Sequence, residues 1–259
     1  MAAKKTQSPT PGKSDPPHGA GLRGKVAVIT GGSRGIGFAI ARALAGERCD
    51  VVITSRNAAE LERRAAELRN EVHDGATIVP IPCDVRRPES VGALFQSVGQ
   101  RFGKVDVLVN NAGISQPATP LEETTLELWQ AVMETNLTSV FLCSRAALPL
   151  MQAGGTIINN LSAAAKQLFP QYYAYTAAKT GALGFTLSLR EELKPRGIRV
   201  TALLPGATNT DIWQQIMPDA PREGMIDVES IAQAVLYAVL LPAKVNLSEI
   251  SLDPAAGAV

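Results

Sequence analysis

The sequence sets a tyrosine and a lysine four residues apart in Tyr175-Thr176-Ala177-Ala178-Lys179. On a helix that spacing puts both side chains on one face. A free phenol, with a pKa of about 10, is poorly matched to proton transfer at neutral pH. An ammonium about 4 Å away, at an effective dielectric of about 20, favours the phenolate by about 4 kcal/mol, or about three pKa units. Lys179 thus suffices to draw Tyr175 toward neutrality and makes it a candidate proton donor and acceptor for a carbonyl–alcohol interconversion. Tyr172 and Tyr173 lack a lysine four residues on and read as pocket wall or packing. Metal catalysis has nothing to stand on: His18 and His73 form no HxxH or HExxH pattern, and Cys49, Cys83 and Cys143 form no CxxC.

A second constellation stands directly after an apolar β-branched run. Thr30-Gly31-Gly32-Ser33-Arg34-Gly35-Ile36-Gly37 closes the segment Lys25–Thr30 and opens a helical pattern. Glycines between a strand and a helix allow positive φ, a close approach of backbone to a pyrophosphate, and tight helix–strand packing. The helix N-terminus then offers free N–H groups and a partial positive charge to phosphates.

The spacing is GxxxGxG, and together with Tyr175 and Lys179 it resembles the short-chain dehydrogenase/reductase superfamily, in its single-domain branch. The resemblance runs from about Lys25 to about Leu252. It implies an oxidoreductase that passes a hydride between a nicotinamide cofactor and a small-molecule carbonyl or secondary alcohol. Ser162 matches the family's substrate-orienting serine, whose hydroxyl bonds the carbonyl oxygen as an oxyanion-hole donor would. Asn136, in Thr135-Asn136-Leu137, resembles the family's fourth catalytic residue, which links the lysine to solvent through water. Asp84-Val85 resembles the adenine contact, and Asn111-Ala112-Gly113 the segment against the adenine ribose. Pro205-Gly206-Ala207-Thr208-Asn209-Thr210 resembles the PGxxxT segment, with backbone at 206–208 and the Thr210 hydroxyl on the nicotinamide carboxamide.

The residues themselves choose between the two nicotinamide cofactors. A carboxylate about 20 residues past the glycine turn binds the ribose 2′-OH of NAD. Here the second β-branched run ends Thr54-Ser55-Arg56-Asn57, with no acid; Asp50 is at its wrong end and Glu60 is already helical. Arg56, and Arg34 within the turn, instead offer charge-assisted partners for a 2′-phosphate. NADP(H) is the expected cofactor.

These residues need a frame. Strand patterns at Lys25–Thr30, Asp50–Thr54, Ala76–Pro82, Val105–Asn110, Thr156–Leu161, Ile198–Leu204 and Ser248–Leu252 alternate with helical patterns. The helices fall at Ile36–Ala45, Ala58–Val72, 88–101, Leu126–Met151, Ala174–Lys194 and Asp227–Leu240. Alternation of this kind predicts an α/β fold, a doubly wound parallel sheet of seven strands flanked by helices (a Rossmann fold). Ligands then bind beyond the carboxyl ends of the strands, where every motif above falls. The content of 46% hydrophobic residues over 259 residues can fill such a core, and no composition shift divides 22–259, which reads as one domain. Residues 1–21, rich in Pro, Gly, Lys and Ser, read as a disordered tail.

A net charge of +1 argues against nucleic acid as a partner. No run of about 18 apolar residues exists to span a membrane, and no apolar segment near the start resembles a secretory signal. Reduced cysteines and a cytoplasmic location are the expectation. The long helices Leu126–Met151 and Ala174–Lys194 match the family's dimer bundle, so a homodimer or homotetramer is expected. The ending Glu249-Ile250-Ser251-Leu252-Asp253-Pro254 departs from the family's Val-Asp-Gly-Gly-like turn and puts the contacts that complete a tetramer in doubt.

Two narrower readings stay open. One is a 3-oxoacyl carrier-protein reductase, although 151–156 (MQAGGT) lacks the basic residues that would help dock an acidic carrier. The other is a non-catalytic NADPH sensor, which would have no need of the four reactive residues. An extended nucleotide-sugar epimerase would need GxxGxxG and a C-terminal substrate domain, and the chain has neither. The segment 211–224 reads as a mobile substrate lid.

Overall fold

The computed structural model describes residues 21–72, 75–255 and 257. The expected tail, Gly21 apart, lies outside the described residues, as do both histidines. The β-branched runs form β1 (Val26–Thr30), β2 (Asp50–Thr54), β3 (Ile78–Pro80), β4 (Val107–Asn110), β5 (Thr156–Asn160), β6 (Arg199–Pro205) and β7 (Glu249–Leu252). Between them run α1 (Gly35–Gly46), α2 (Ala58–Glu71), α3 (Pro88–Phe102), α4 (Leu126–Met133), α5 (Ser139–Ala147), α6 (Tyr173–Leu193), α7 (Trp213–Ile216) and α8 (Val228–Leu240).

All seven strands pair in parallel, in the order β3-β2-β1-β4-β5-β6-β7, as the alternation predicts. Every residue of β1 and β4 is buried, the mark of central parallel strands covered on both faces. Successive side chains leave the sheet on opposite sides. Ile29 and Ile53 thus join Ile40, Leu44 and Val235 under α1 and α8. Val28, Leu108 and Ile157 join Leu94, Cys143 and Leu193 under α3, α5 and α6. Strand order reverses between β1 and β4, so a crevice opens at their carboxyl ends, the switch point where doubly wound sheets bind ligands.

The structure departs from the expected elements in three places. The helical stretch expected over Leu126–Met151 runs without a gap from Leu126 to Leu150 but changes its winding, from α4 through a π-helical turn over Glu134–Thr138 to α5 and a 3₁₀ turn over Leu148–Leu150. Polar side chains here compete for backbone carbonyls four residues back: Thr135 donates to Ala131 (2.7 Å), Asn136 to Val132 (3.0 Å) and Ser139 to Thr135 (2.6 Å). Pro149 then cannot continue the helix. The strand expected at Ala76–Pro82 shrinks to Ile78–Pro80, since Pro80 and Pro82 bring no N–H to the ladder. Within the expected lid, the short α7 forms after Trp213 donates its indole N–H to the Thr208 carbonyl (2.8 Å). Among the described residues no helix is long and apolar enough to cross a membrane.

Candidate active site

The glycine turn joins β1 to α1 with Gly31 at φ 64° and Gly35 at φ 53°, a region that costs other residues about 1–2 kcal/mol. It is shut against the end of β4. A methyl on Gly37 would lie 2.3 Å from Asn111 Nδ2 and 2.5 Å from the Gly31 carbonyl oxygen. The buried Thr30 hydroxyl accepts the N–H groups of Asn111 (2.9 Å) and Ala112 (3.0 Å). Asn111 donates its amide to the carbonyls of Thr30 (2.9 Å) and Gly31 (3.1 Å) and accepts from Asn160 (2.8 Å). Its side chain therefore straps the ends of β1, β4 and β5 together.

Ser33 is buried, and its carbonyl accepts from Arg64 of α2 (3.1 Å), whose guanidinium stacks 3.5 Å from the Phe38 ring. The turn is thus clamped from outside, by a residue with no local signal pointing there. Arg34 precedes α1 with no side-chain cap, so the first N–H groups of α1, Ile36 and Gly37 among them, have no intrahelical partner. Arg34 and Arg56 are exposed, and neither has an ion-pair partner among the described residues. Thr210 closes the far side of the turn: its Cγ2 lies 3.4 Å from where a methyl on Gly35 would be.

After β3, Asp84 is held by the Arg86 guanidinium at 2.9 and 2.7 Å, which keeps its carboxyl down at about 2. Val85 turns its side chain into the core. After β6, Pro205-Gly206 is tied to β7 by the Gly206 N–H on the Leu252 carbonyl (2.8 Å), and the buried Thr208 hydroxyl donates to the Gly206 carbonyl (3.0 Å).

The four reactive candidates converge from three segments. Ser162 follows β5 and caps the short turn after it, accepting from the Ala164 N–H (3.1 Å). Tyr175 lies half-buried in the first turn of α6. Lys179, one turn on and 5% exposed, donates to the Asn160 carbonyl (3.2 Å) and sits 5.5 Å from the Tyr175 ring centroid. Asn136 is buried in the π-helical turn, donating to the Ile114 carbonyl (2.9 Å) and accepting from the Ile114 N–H (3.3 Å). Gly113 lies between the last two: a methyl there would meet Asn136 Oδ1 at 2.8 Å and Lys179 Nζ at 3.7 Å.

The electrostatics differ from the expectation. Burial pushes the Tyr175 phenol above its ordinary value, and the Ser162 hydroxyl pulls the other way. Burial also drives Lys179 from 10.5 down to about 8. Desolvation penalises both charged forms, the phenolate and the ammonium alike. In the protein alone, Lys179 therefore does not bring the phenol to neutrality. No local pattern marks Thr30 as the knot of the turn, Arg64 as its clamp or Asn160 as the lysine's anchor; each acts across a long stretch of chain. Among the described residues no group of three or more His, Cys, Asp or Glu could hold a metal ion.

Residues 25–221 match the family model described as short chain dehydrogenase. The chain is 33% identical to an uncharacterized oxidoreductase of Staphylococcus saprophyticus, over 90% of this chain and 98% of the relative. It is 39% identical to a 3-oxoacyl-[acyl-carrier-protein] reductase of Synechocystis, over 75% of this chain and 78% of that one. Its fold superposes with TM-score 0.82 and 35% identity on an alcohol dehydrogenase of Thermococcus sibiricus complexed with 5-hydroxy-NADP, covering 89% of this chain and 97% of that one. Glycine turn, strand order and sequence similarity thus agree, and the chain belongs to the short-chain dehydrogenase family of oxidoreductases.

Proposed function

We propose that the protein binds NADP(H) and transfers a hydride between it and a carbonyl or secondary alcohol, with Tyr175 as proton donor and acceptor. The observation that carries the reading is the convergence of Ser162, Tyr175, Lys179 and Asn136 beside a glycine turn packed so closely against Asn111 and Ala112 that a methyl on Gly31 or Gly37 would collide with them.

The cradle fits a dinucleotide. Gly31, Ser33, Gly35, Ile36 and Gly37 present backbone N–H groups and the α1 N-terminus to a pyrophosphate. Exposed Arg34 and Arg56 face a ribose 2′-phosphate and make NADP(H) the choice over NAD(H). Asp84 stays ionised beside Arg86 and keeps lone pairs for an adenine amino group, with the Val85 backbone alongside. Asn111, Ala112 and Gly113 line the ribose, and Pro205, Gly206, Thr208 and Thr210 hold the carboxamide end. When bound, a nicotinamide supplies a hydride for reduction or takes one in oxidation.

In reduction, the carbonyl carbon accepts the hydride while its oxygen takes the proton from the Tyr175 hydroxyl. The Ser162 hydroxyl donates a hydrogen bond to that oxygen as negative charge builds there, stabilising the transition state more than the ground state. Lys179 holds a positive charge under the phenol and favours the phenolate left behind. Asn136, in its π-helical turn, keeps the base of Lys179 in reach of a water that returns the proton. Oxidation runs the same steps backwards.

The test follows NADPH and NADH absorbance with diacetyl, benzil and an acetoacetyl thioester, for the native protein and Tyr175→Phe. The expected result is NADPH-dependent turnover of at least one carbonyl, lost roughly 100-fold or more in Tyr175→Phe. Cofactor binding with no turnover of any carbonyl would instead favour a sensor. The identity to the Synechocystis reductase supports a second reading, a 3-oxoacyl thioester substrate; faster turnover of the thioester than of both diketones would select it. We also read residues 22–259 as one domain, since all seven strands share one sheet. The reading includes a homodimer or homotetramer, and a cytoplasmic location, with which three buried free cysteines accord.

A further inference from the structure

α6 begins without a local cap. The residue before it, Tyr172, makes no side-chain hydrogen bond to the helix end, although the first turn of any helix leaves N–H groups unpaired. Tyr175 lies in that first turn, so fraying there would move the phenol.

The missing acceptor comes from 59 residues upstream. Gln116, 1% exposed in the loop after β4, accepts the Tyr175 backbone N–H on Oε1 at 3.0 Å. The same amide donates through Nε2 to the Gln171 carbonyl at 3.1 Å. Gln171 is a non-glycine residue at φ 68°, and its carbonyl also receives the Thr119 N–H at 3.1 Å. A left-handed conformation at such a residue persists only where its surroundings fix it. The donors that fix it here are Gln116 and Thr119. One buried amide thus joins the loop after β4, the carbonyl of Gln171 two residues before α6, and the backbone of Tyr175.

We propose that Gln116 is the positioning residue of Tyr175: it caps α6 in trans and fixes the phenol's distance from Ser162 and from the substrate oxygen. An acceptor at Oε1 is the essential part, because the N–H it satisfies belongs to Tyr175 itself. The donor at Nε2 is secondary, since Thr119 also holds the Gln171 carbonyl. The inference rests on the proposed role of Tyr175 in proton transfer.

The test compares the full-length native protein with Gln116→Ala, Gln116→Glu and Tyr175→Phe. Amide hydrogen exchange at Tyr175, which needs no substrate, is expected to speed up roughly tenfold or more in Gln116→Ala and to stay near native in Gln116→Glu, which keeps the acceptor. With the fastest of diacetyl, benzil and the acetoacetyl thioester, Gln116→Ala is expected to lower kcat roughly tenfold. The dissociation constant for NADPH should stay within about twofold, and the solvent isotope effect on kcat should rise as proton transfer becomes slower. Gln116→Glu should restore most of kcat. A residue that merely shaped the pocket would raise KM and leave kcat and the isotope effect alone. Unchanged exchange at Tyr175, unchanged kcat in Gln116→Ala, or a Glu variant no better than Ala would each overturn the inference. If Tyr175→Phe retains turnover, or no carbonyl is reduced, the proposed function fails, and the exchange comparison still decides whether Gln116 caps the helix.

Discussion

Replacing Lys179 with methionine should stabilise the protein while abolishing its activity. The lysine is 5% exposed, and burial alone brings it from 10.5 to about 8. At about 1.36 kcal/mol for each pKa unit, the folded state bears about 3 kcal/mol for holding this ammonium at neutral pH. Methionine fills similar space without charge. It forfeits one hydrogen bond to the Asn160 carbonyl, worth about 1 kcal/mol net, so the variant should gain about 2 kcal/mol. The sign with pH follows from proton counts. A lysine depressed in the folded state leaves the unfolded chain binding more protons between about 8 and 10.5, so the stability of the native protein rises with pH across that window. Urea unfolding of the two ligand-free proteins should therefore show methionine ahead at about pH 7 and the lead shrinking to near zero or reversing by about pH 10. A variant less stable than the native protein at about pH 7, or a gap that does not change with pH, would refute the burial argument.

Three further outcomes are expected. Gly37→Ala puts a methyl 2.5 Å from the Gly31 carbonyl oxygen, which cannot move without opening the turn; affinity for NADPH, measured by titrated fluorescence, should fall roughly 10-fold or more while the sheet's circular dichroism persists. Arg34→Ala and Arg56→Ala should each weaken NADPH roughly 10-fold and leave NADH nearly untouched in the same titration, since about 1.4 kcal/mol is a modest value for a charge-assisted contact. Arg199→Met removes the guanidinium that the carbonyls of Ala238, Val239, Leu241 and Val245 share at 3.0–3.3 Å; with the end of α8 uncapped, chemical unfolding should show a loss of roughly 2–4 kcal/mol.

The fold was legible because its signals are local. Val26–Thr30 and Asp50–Thr54 announce themselves by short runs rich in β-branched residues, Ala58–Glu71 by the spacing of Leu61, Ala65 and Leu68, and parallel pairing then follows from alternation alone. The long helical stretch before β5 was legible on the same grounds, but its change of winding was not. A π-helical turn inserts a single residue, and a 3.6-residue periodicity passes over it, although the run Thr135, Asn136 and Ser139 carries the side chains that compete for the carbonyls.

At the site, sequence by itself determined which residues meet. A glycine turn after β1, residues at the ends of β4, β5 and β6, and an i, i+4 pair on α6 must share one crevice once the sheet is parallel. Only the tertiary structure decided how they are held and charged. Asn111 became a strap, α6 is capped by Gln116 and α8 by Arg199, each from far along the chain. Spacing alone suggested that Lys179 would draw Tyr175 toward neutrality, whereas burial of both groups outweighs that pull in the folded protein. The physical reason is common to all four. Hydrogen bonds between distant segments and the desolvation of a side chain depend on what packs around it in three dimensions, and no local pattern records that.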